Sequence, residues 1–302
     1  MARKAHMDCD VIIIGGSYAG LSAGLPLARA RRSVLVVDAG ERRNRFAPHA
    51  HGFLTQDGVP PADIAAEGRA QLMDYTTVDW LNTEVSAVRT LPEGFEVALR
   101  HGAPRRARRL ILAAGVRDEL PALPGLAERW GLQVFHCPYC HGYELHEGAV
   151  GVLAVSELSL HQALMLPDWG ATCLFLNDSF EPTAEQLAQL QARRVDLVRG
   201  PVARLAGERL TVVMRDGRSF ALDGLFIATR THPSPLAAQL GCEMAEGPMG
   251  RFVKTDEMKA TSVPGVFACG DLARPTGSLP LAVGDGAMAG VAAHRSLMFG
   301  LG

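Results

Sequence analysis

Cys9-Asp10-Val11-Ile12-Ile13-Ile14-Gly15-Gly16-Ser17-Tyr18-Ala19-Gly20 decides the fold: an apolar run rich in β-branched residues stops at a glycine-rich turn. A helical stretch from Leu21 to Arg31 follows, and Val34-Leu35-Val36-Val37 forms a second short strand closed by Asp38. Strand, glycine turn, helix and strand make a βαβ unit of the nucleotide-binding kind. Its physics asks for a glycine at the tight turn, close backbone approach at the second glycine position, and a helix N-terminus whose amides face a pyrophosphate. Asp38 then accepts from a ribose hydroxyl. Ser17 stands where the second glycine is expected, so the motif reads Gly-x-Ser-x-x-Gly. An unrelated glycine-rich turn shares that pattern, and other segments must decide.

Composition narrows the field. The 302 residues are 48% apolar and 21% charged, enough for two domains with real cores. Thirty basic residues against thirty-two acidic ones leave no excess for phosphate backbones, so no nucleic-acid partner is expected. No run approaches the ~18 apolar residues of a membrane span, and the start Met1-Ala2-Arg3-Lys4-Ala5-His6 lacks an export leader, so a cytoplasmic protein without a membrane partner is expected. Cys9, Cys173, Cys242 and Cys269 are scattered, as isolated thiols of a reducing compartment should be. The exception is Cys137-Pro138-Tyr139-Cys140.

Two further segments repeat the nucleotide theme. Leu110-Ile111-Leu112-Ala113-Ala114-Gly115 is a buried-strand pattern ending in glycine, and Thr261-Ser262-Val263-Pro264-Gly265-Val266-Phe267-Ala268-Cys269-Gly270-Asp271 resembles the second FAD fingerprint of flavoproteins with two dinucleotide-binding domains. In that resemblance Asp271 holds a ribityl hydroxyl, Gly270 lets the backbone lie against the cofactor, and Cys269 is a small packing residue. Pro280-Leu281-Ala282-Val283-Gly284-Asp285-Gly286 then opens an apolar helix to about Phe299, its N-terminus suited to a reduced flavin's negative charge. The central part repeats the outline, with strand Val150 to Val155, helix Leu158 to Leu166 and strand Cys173 to Leu176. Breakers at Pro121, Pro124 and Gly125, and at Gly247, Pro248 and Gly250, mark two crossings. The expected fold is α/β, with two Rossmann-like domains: a discontinuous FAD domain, 1–118 and 248–302, and an inserted NADPH-domain-like domain, 119–247.

Along essentially its whole length the chain resembles the low-molecular-weight thioredoxin reductase family. The resemblance implies FAD at the first site, NADPH at the second, a homodimer, and a redox-active Cys137/Cys140 pair. Its expected cofactor set is Gly15, Ser17, Tyr18, Ala19, Gly20, Asp38, Ala39, Asn44, Arg45, Gln56, Ala114, Gly115, Gly270, Asp271, Ala282 and Val283. It also makes Cys140 the flavin-facing sulfur and Cys137 the one that exchanges with substrate. Where the family has Asp after the pair, this chain has His141, which titrates near neutrality and suits dithiol acid/base chemistry; His136 flanks the other side as a surface or packing residue. Haem attachment would need export, and zinc a second ligand pair, which the sequence lacks. His49-Ala50-His51-Gly52-Phe53-Leu54-Thr55-Gln56-Asp57-Gly58 reads as a cofactor-cradling loop with solvated histidines, and Arg105-Arg106-Ala107-Arg108-Arg109 as a solvated strand edge or hairpin.

The NADPH carry-over fails on the residues. Val152-Leu153-Ala154-Val155-Ser156-Glu157-Leu158 has no glycine, and Glu157 puts like charge at the helix start. Phe175-Leu176-Asn177-Asp178-Ser179-Phe180 has no basic residue for a 2′-phosphate, and Phe226-Ile227-Ala228-Thr229-Arg230-Thr231 lacks a family glycine. The expectation is an FAD-dependent dithiol:disulfide oxidoreductase that oxidises a substrate dithiol with oxygen as acceptor, resembling the dithiol oxidases of the same family. The alternatives are a thioredoxin reductase-like enzyme fed by ferredoxin or by NADPH through an atypical site, and a flavin-binding redox sensor. The substrate is a small-molecule or thioredoxin-like dithiol or disulfide, not further defined.

Overall fold

The computed structural model describes residues 7–300, and the opening stretch 1–6, read above for its lack of a leader, lies outside the described residues. The described chain divides into two units. One draws on Met1–Arg45, Pro61–Arg117 and Thr231–Gly302, the other on Phe46–Pro60 and Asp118–Arg230.

In the first unit the strands lie in the order Val78–Asn82, Val34–Asp38, Cys9–Ile14, Arg105–Leu112, Gly94–Leu99, Val85–Leu91, and Val266–Ala268 also pairs with Arg105–Leu112. The first four and Val266–Ala268 run parallel, while Gly94–Leu99 and Val85–Leu91 are antiparallel additions. Period-two alternation sends Val11 and Ile13 into one core and Ile12 and Ile14 into another, which is why the strand is apolar at every position. The helix Tyr18–Arg29 begins three residues ahead of the sequence expectation, directly after the turn. It packs on the last helix, Leu279–Phe299, at close range: a Cβ on Gly286 or Gly290 would overlap the carbonyls of Ala19 and Ala23.

The basic run 105–109 is not an edge. It opens the strand Arg105–Leu112, the second arm of a hairpin with Gly94–Leu99, and has neighbours on both sides. Arg106 pairs with Glu96 at 2.8 Å and Arg108 with Asp10 at 3.4 Å, while Arg109 donates to the hydroxyl of Ser296 at 2.7 Å.

The second unit holds a five-stranded parallel sheet in the order Asp196–Val198, Gly170–Phe175, Glu147–Leu153, Gly224–Phe226, Val134–Phe135. Phe175 and Phe226 are fully buried at its centre. The helix Ala184–Ala192 carries a complete capping box between Thr183 and Gln186. The chain passes between units at Arg45–Phe46, Pro60–Pro61, Arg117–Asp118 and Arg230–Thr231. The Gly247–Gly250 breaker cluster, read from sequence as the second crossing, instead turns the antiparallel hairpin Met244–Gly247/Gly250–Val253 within the first unit. Gly250 is required there: its φ is +135° and the Thr231 carbonyl lies where a Cβ would go. Segment 46–60, expected with the first domain, groups with the second unit, where Phe46 closes on Gly131 and an Ala50–Val59 bridge ties the loop's ends. No helix among the described residues is long and apolar enough to cross a membrane.

Candidate active site

In the first unit the glycine turn assembles most of the expected cofactor residues. Gly15 sits at φ +104° with the Ala113 carbonyl where a side chain would begin, so only glycine makes this turn. Its amide donates to the Val37 carbonyl at 2.8 Å, and the Gly16 amide donates to Asp38 Oδ1 at 3.0 Å, which fixes the Asp38 carboxylate at the strand end. Gly20 lies against the Gly15 carbonyl. Ser17 occupies the N-cap position without capping through its side chain, and the first intrahelical bond runs from the Leu21 amide to its carbonyl. The amides of Tyr18, Ala19 and Gly20 therefore precede any helical acceptor, and this uncapped helix start is a donor set for a diphosphate.

The C-terminal residues converge on the same turn. Gly270, at φ +70°, lies beside Ala19 and Ala282, so the two remote cassettes meet. Ser278 caps the last helix by accepting from the Leu281 amide at 3.4 Å, placing Ala282 and Val283 in its first turns. Ala114 is exposed and Gly115 has open space where a Cβ would stand. Asn44 donates to the Tyr18 hydroxyl at 3.1 Å, while Arg45 turns back to the Arg42 carbonyl at 2.7 Å. Ala39 is exposed just past Asp38, and Gln56 belongs to the other unit. The sequence reading missed Arg43, which pairs with Asp271 at 2.8 Å; it lay in the basic run that was noted but not assigned. Uncapped amides, a fixed ribose acceptor and open glycine backbone fit FAD, with Asp271 available to a ribityl hydroxyl.

Cys269 is wholly buried, and burial pushes its thiol up to about 12, so it stays a protonated packing residue.

In the second unit Cys137 occupies the N-cap position of the four-residue helix Pro138–His141 without capping it through its side chain, and its Sγ lies 2.6 Å from that of Cys140, close enough for the two to join. Pro138 sits at the first helical position, where its missing N–H costs nothing. Gly142 is required by its neighbour, since a Cβ there would meet the Trp169 ring at 2.5 Å. His136 uses its carbonyl to accept from Gln162 at 2.8 Å.

His141 stacks on Phe135, with ring centroids 4.4 Å apart and planes 21° apart. Burial pushes its pKa down to about 4; Glu144 acts upward and His51 downward. This corrects the expectation of titration near neutrality: the ring is a neutral imidazole at pH 7 and a weaker base than an exposed histidine. The His49–Gly58 loop reads differently too. His51 is only 20% exposed and lies between Asp57, at 3.6 Å, and Glu144, at 3.4 Å.

The turn of the second unit's nucleotide-like element, between Glu147–Leu153 and the helix Leu158–Met165, is closed on itself. The Val155 amide donates to Ser159 Oγ at 3.2 Å, and the amides of Ser159 and Leu160 donate to the carbonyls of Ser156 and Glu157 at 3.1 and 3.0 Å. Two of the three helix-start donors that stay open in the first turn, here those of Ser159 and Leu160, have internal acceptors. Beyond the next strand a cleft of about 300 Å³ is lined by Asp178, Glu181 and Arg199, the last already paired with Glu181 at 2.6 Å.

Two Rossmann-like units, one shaped for FAD and one bearing a vicinal cysteine pair, define a flavin-dependent disulfide oxidoreductase. The chain belongs to the pyridine nucleotide-disulphide oxidoreductase family, whose profile matches residues 9–289. It is thioredoxin reductase-like, with FAD as its cofactor. It is 33% identical to thioredoxin reductase tcpT of Claviceps purpurea, over 96% of this chain and 94% of that one. Among solved structures, an oxidoreductase from Agrobacterium tumefaciens is 55% identical with a TM-score of 0.94, covering 97% of this chain and 99% of that one. HlmI is 37% identical with a TM-score of 0.90, covering 99% and 94%.

Proposed function

We propose that the protein is a dithiol oxidase: it closes a disulfide in a substrate dithiol, with dioxygen as final acceptor and no working NADPH site. The observation that supports this reading is the turn at Val155–Leu160, which has no glycine, engages the Val155, Ser159 and Leu160 amides internally and adds the Glu157 charge.

His141, neutral at pH 7, takes the proton from the substrate's first thiol. The thiolate attacks Cys137 Sγ of the oxidised pair, forming a mixed disulfide and releasing Cys140 as thiolate. The substrate's second thiol attacks its own sulfur in that mixed disulfide, so the product leaves as a disulfide and Cys137 as thiolate. The second thiol's proton passes to the Cys140 thiolate as it attacks, so two electrons now reside on the enzyme pair, with one proton on Cys140 and the other on His141. FAD held at the Gly15–Gly20 turn and Asp38 would supply the two-electron acceptor for the reduced pair, with dioxygen as the final acceptor and hydrogen peroxide as its product.

The homodimer of the resemblance belongs to this reading, supported by exposed Leu281, Met288, Val291 and Met298 along one long helix. Cytoplasmic residence belongs to it as well, supported by four scattered cysteines. A second reading, a thioredoxin reductase-like enzyme with an atypical nucleotide site, is favoured by Arg199 in the second unit's cleft.

Anaerobic titration of the flavin-loaded protein separates the two. Bleaching by dithiothreitol but not by NADPH, with peroxide formed on admitting air, is the expected result. Rapid bleaching by stoichiometric NADPH overturns the proposal.

A further inference from the structure

His51 and Glu144 have no part in the reaction as written, yet both are held beside it. Glu144 lies in the short helical turn Tyr143–Leu145, directly after the Cys137–His141 segment. Its Oε1 lies 3.4 Å from His51 Nε2, so a group three positions past His141 reaches a ring contributed by a chain segment about ninety positions earlier. The contact has a built support on the loop side. Asp57 Oδ1 lies 3.6 Å from His51 Nδ1 and also accepts from the Gly52 amide at 2.7 Å, which fixes the carboxylate behind the ring. His49, whose ring centroid is 6.4 Å from that of His51, is anchored separately, with Nδ1 at 3.0 Å from the Gly58 carbonyl. His51 therefore faces two carboxylates and one histidine, while the charged groups acting on His141 are Glu144 and His51 themselves.

We propose that His51 and Glu144 are positioning residues of the dithiol chemistry: together they form an ionisable pair that governs how readily His141 takes the substrate's proton. This rests on reading His141 as the acid/base group. A buried imidazole stacked on Phe135 holds a proton poorly, because the imidazolium loses its hydration. The Glu144 carboxylate opposes that loss. His51, in contact with that carboxylate, opposes its effect on His141. The segment 46–60 thereby tunes the acid/base group beside the redox pair, a role distinct from cradling a cofactor.

The test uses flavin-loaded protein with ¹³Cε1-labelled histidine, the His141 resonance being assigned by its loss in His141→Gln. Glu144→Gln is expected to move the His141 midpoint down by about half a pH unit, His51→Gln to move it up by a similar amount, and the double variant to fall between them. Half a pH unit is about a threefold change in proton affinity. Glu144→Asp should restore most of the wild-type midpoint. Midpoints unchanged in both single variants, or displaced in the same direction, overturn the inference, the second outcome marking a rearranged loop instead of a charge effect. The acid/base reading fails separately, through undiminished turnover by His141→Gln, and that result leaves the measured midpoints standing.

Discussion

Replacing His141 with Gln tests the electrostatic description of the redox centre through stability, independently of turnover. In the folded protein burial holds the imidazole at about 4, while in the unfolded chain it returns to its ordinary value of 6.5. Between those values the unfolded state binds a proton that the native state refuses, so stability rises with pH across the window and is flat above it. The gap of about 2.5 pH units corresponds to about 3 kcal/mol, an upper figure because the ring is only half-buried and water screens part of the penalty. Wild-type protein should lose up to that amount from this group as pH falls from 7 to 4, and His141→Gln should not.

Urea unfolding of both proteins at steps between pH 4 and 7.5 is the assay. Trp130 and Trp169, both in the second unit, report on the right half of the molecule. The quantity to plot is the difference between the two proteins, because other acids and the bound cofactor contribute to each curve alike. A difference independent of pH refutes the reasoning, since it means that His141 titrates in the native state as it does in the unfolded one. Turnover supplies a second reading of the same quantity: if the neutral ring is the base, kcat should hold nearly level from pH 7 to about 5 and fall below it, and the variant should lose about a hundredfold or more.

Asp285 is 3% exposed and is held by Arg274 through two bonds of 2.6 and 2.8 Å and by Lys259 at 2.8 Å. Burial would push its carboxyl up, but those two cations outweigh it and keep it below the usual range, so its contribution is present above about pH 4 and lost in stronger acid. Asp285→Ala should cost about 3–5 kcal/mol by stranding two cations, measured as a fall in the urea midpoint at pH 7. Gly20→Ala puts a methyl against the Gly15 carbonyl, and should lower FAD content after purification, read as the ratio of flavin to protein absorbance, along with a loss of about 1–3 kcal/mol.

What was legible in the sequence was whatever the chain's local chemistry decides. Cys9–Ile14 is a strand with the bounds its β-branched run implies, and Gly15, Gly20 and Asp38 fall where a nucleotide turn needs them. What escaped depends on partners remote in sequence. Nothing near His141 announces that Phe135 will stack on it and that burial will displace its titration. Arg43 could not be told from its neighbours in a basic run until Asp271, more than two hundred residues away, took it as a partner. Gly247 and Gly250 signal a turn correctly, but a turn signal does not distinguish a hairpin from a crossing between units. Segment 46–60 has no apolar period to assign it, and its allegiance is set by Gly131 and Glu144.

The two nucleotide-type units also separate what holds a fold from what binds a ligand. Glu147–Leu153 and Gly170–Phe175 keep a parallel sheet over a core including Phe175, Val152 and Leu174, which gains nothing from the chemistry of the connecting turn. The turn was therefore open to change without loss of stability. Amides at a helix start are served by a ligand or by internal acceptors, and Ser159, fully buried, supplies an internal one to Val155. In the first unit the same position cannot close: Ser17 does not cap, and Gly20 against the Gly15 carbonyl leaves no room for a larger residue. Restoring glycine at position 155 would remove a side chain but leave the Ser159 bond, the Glu157 charge and an acidic cleft whose Arg199 is already engaged. On the dithiol-oxidase proposal, nucleotide binding at this turn would require several coordinated changes, while the proposed sulfur route, Cys137, Cys140 and a neutral His141, has its parts within a single segment.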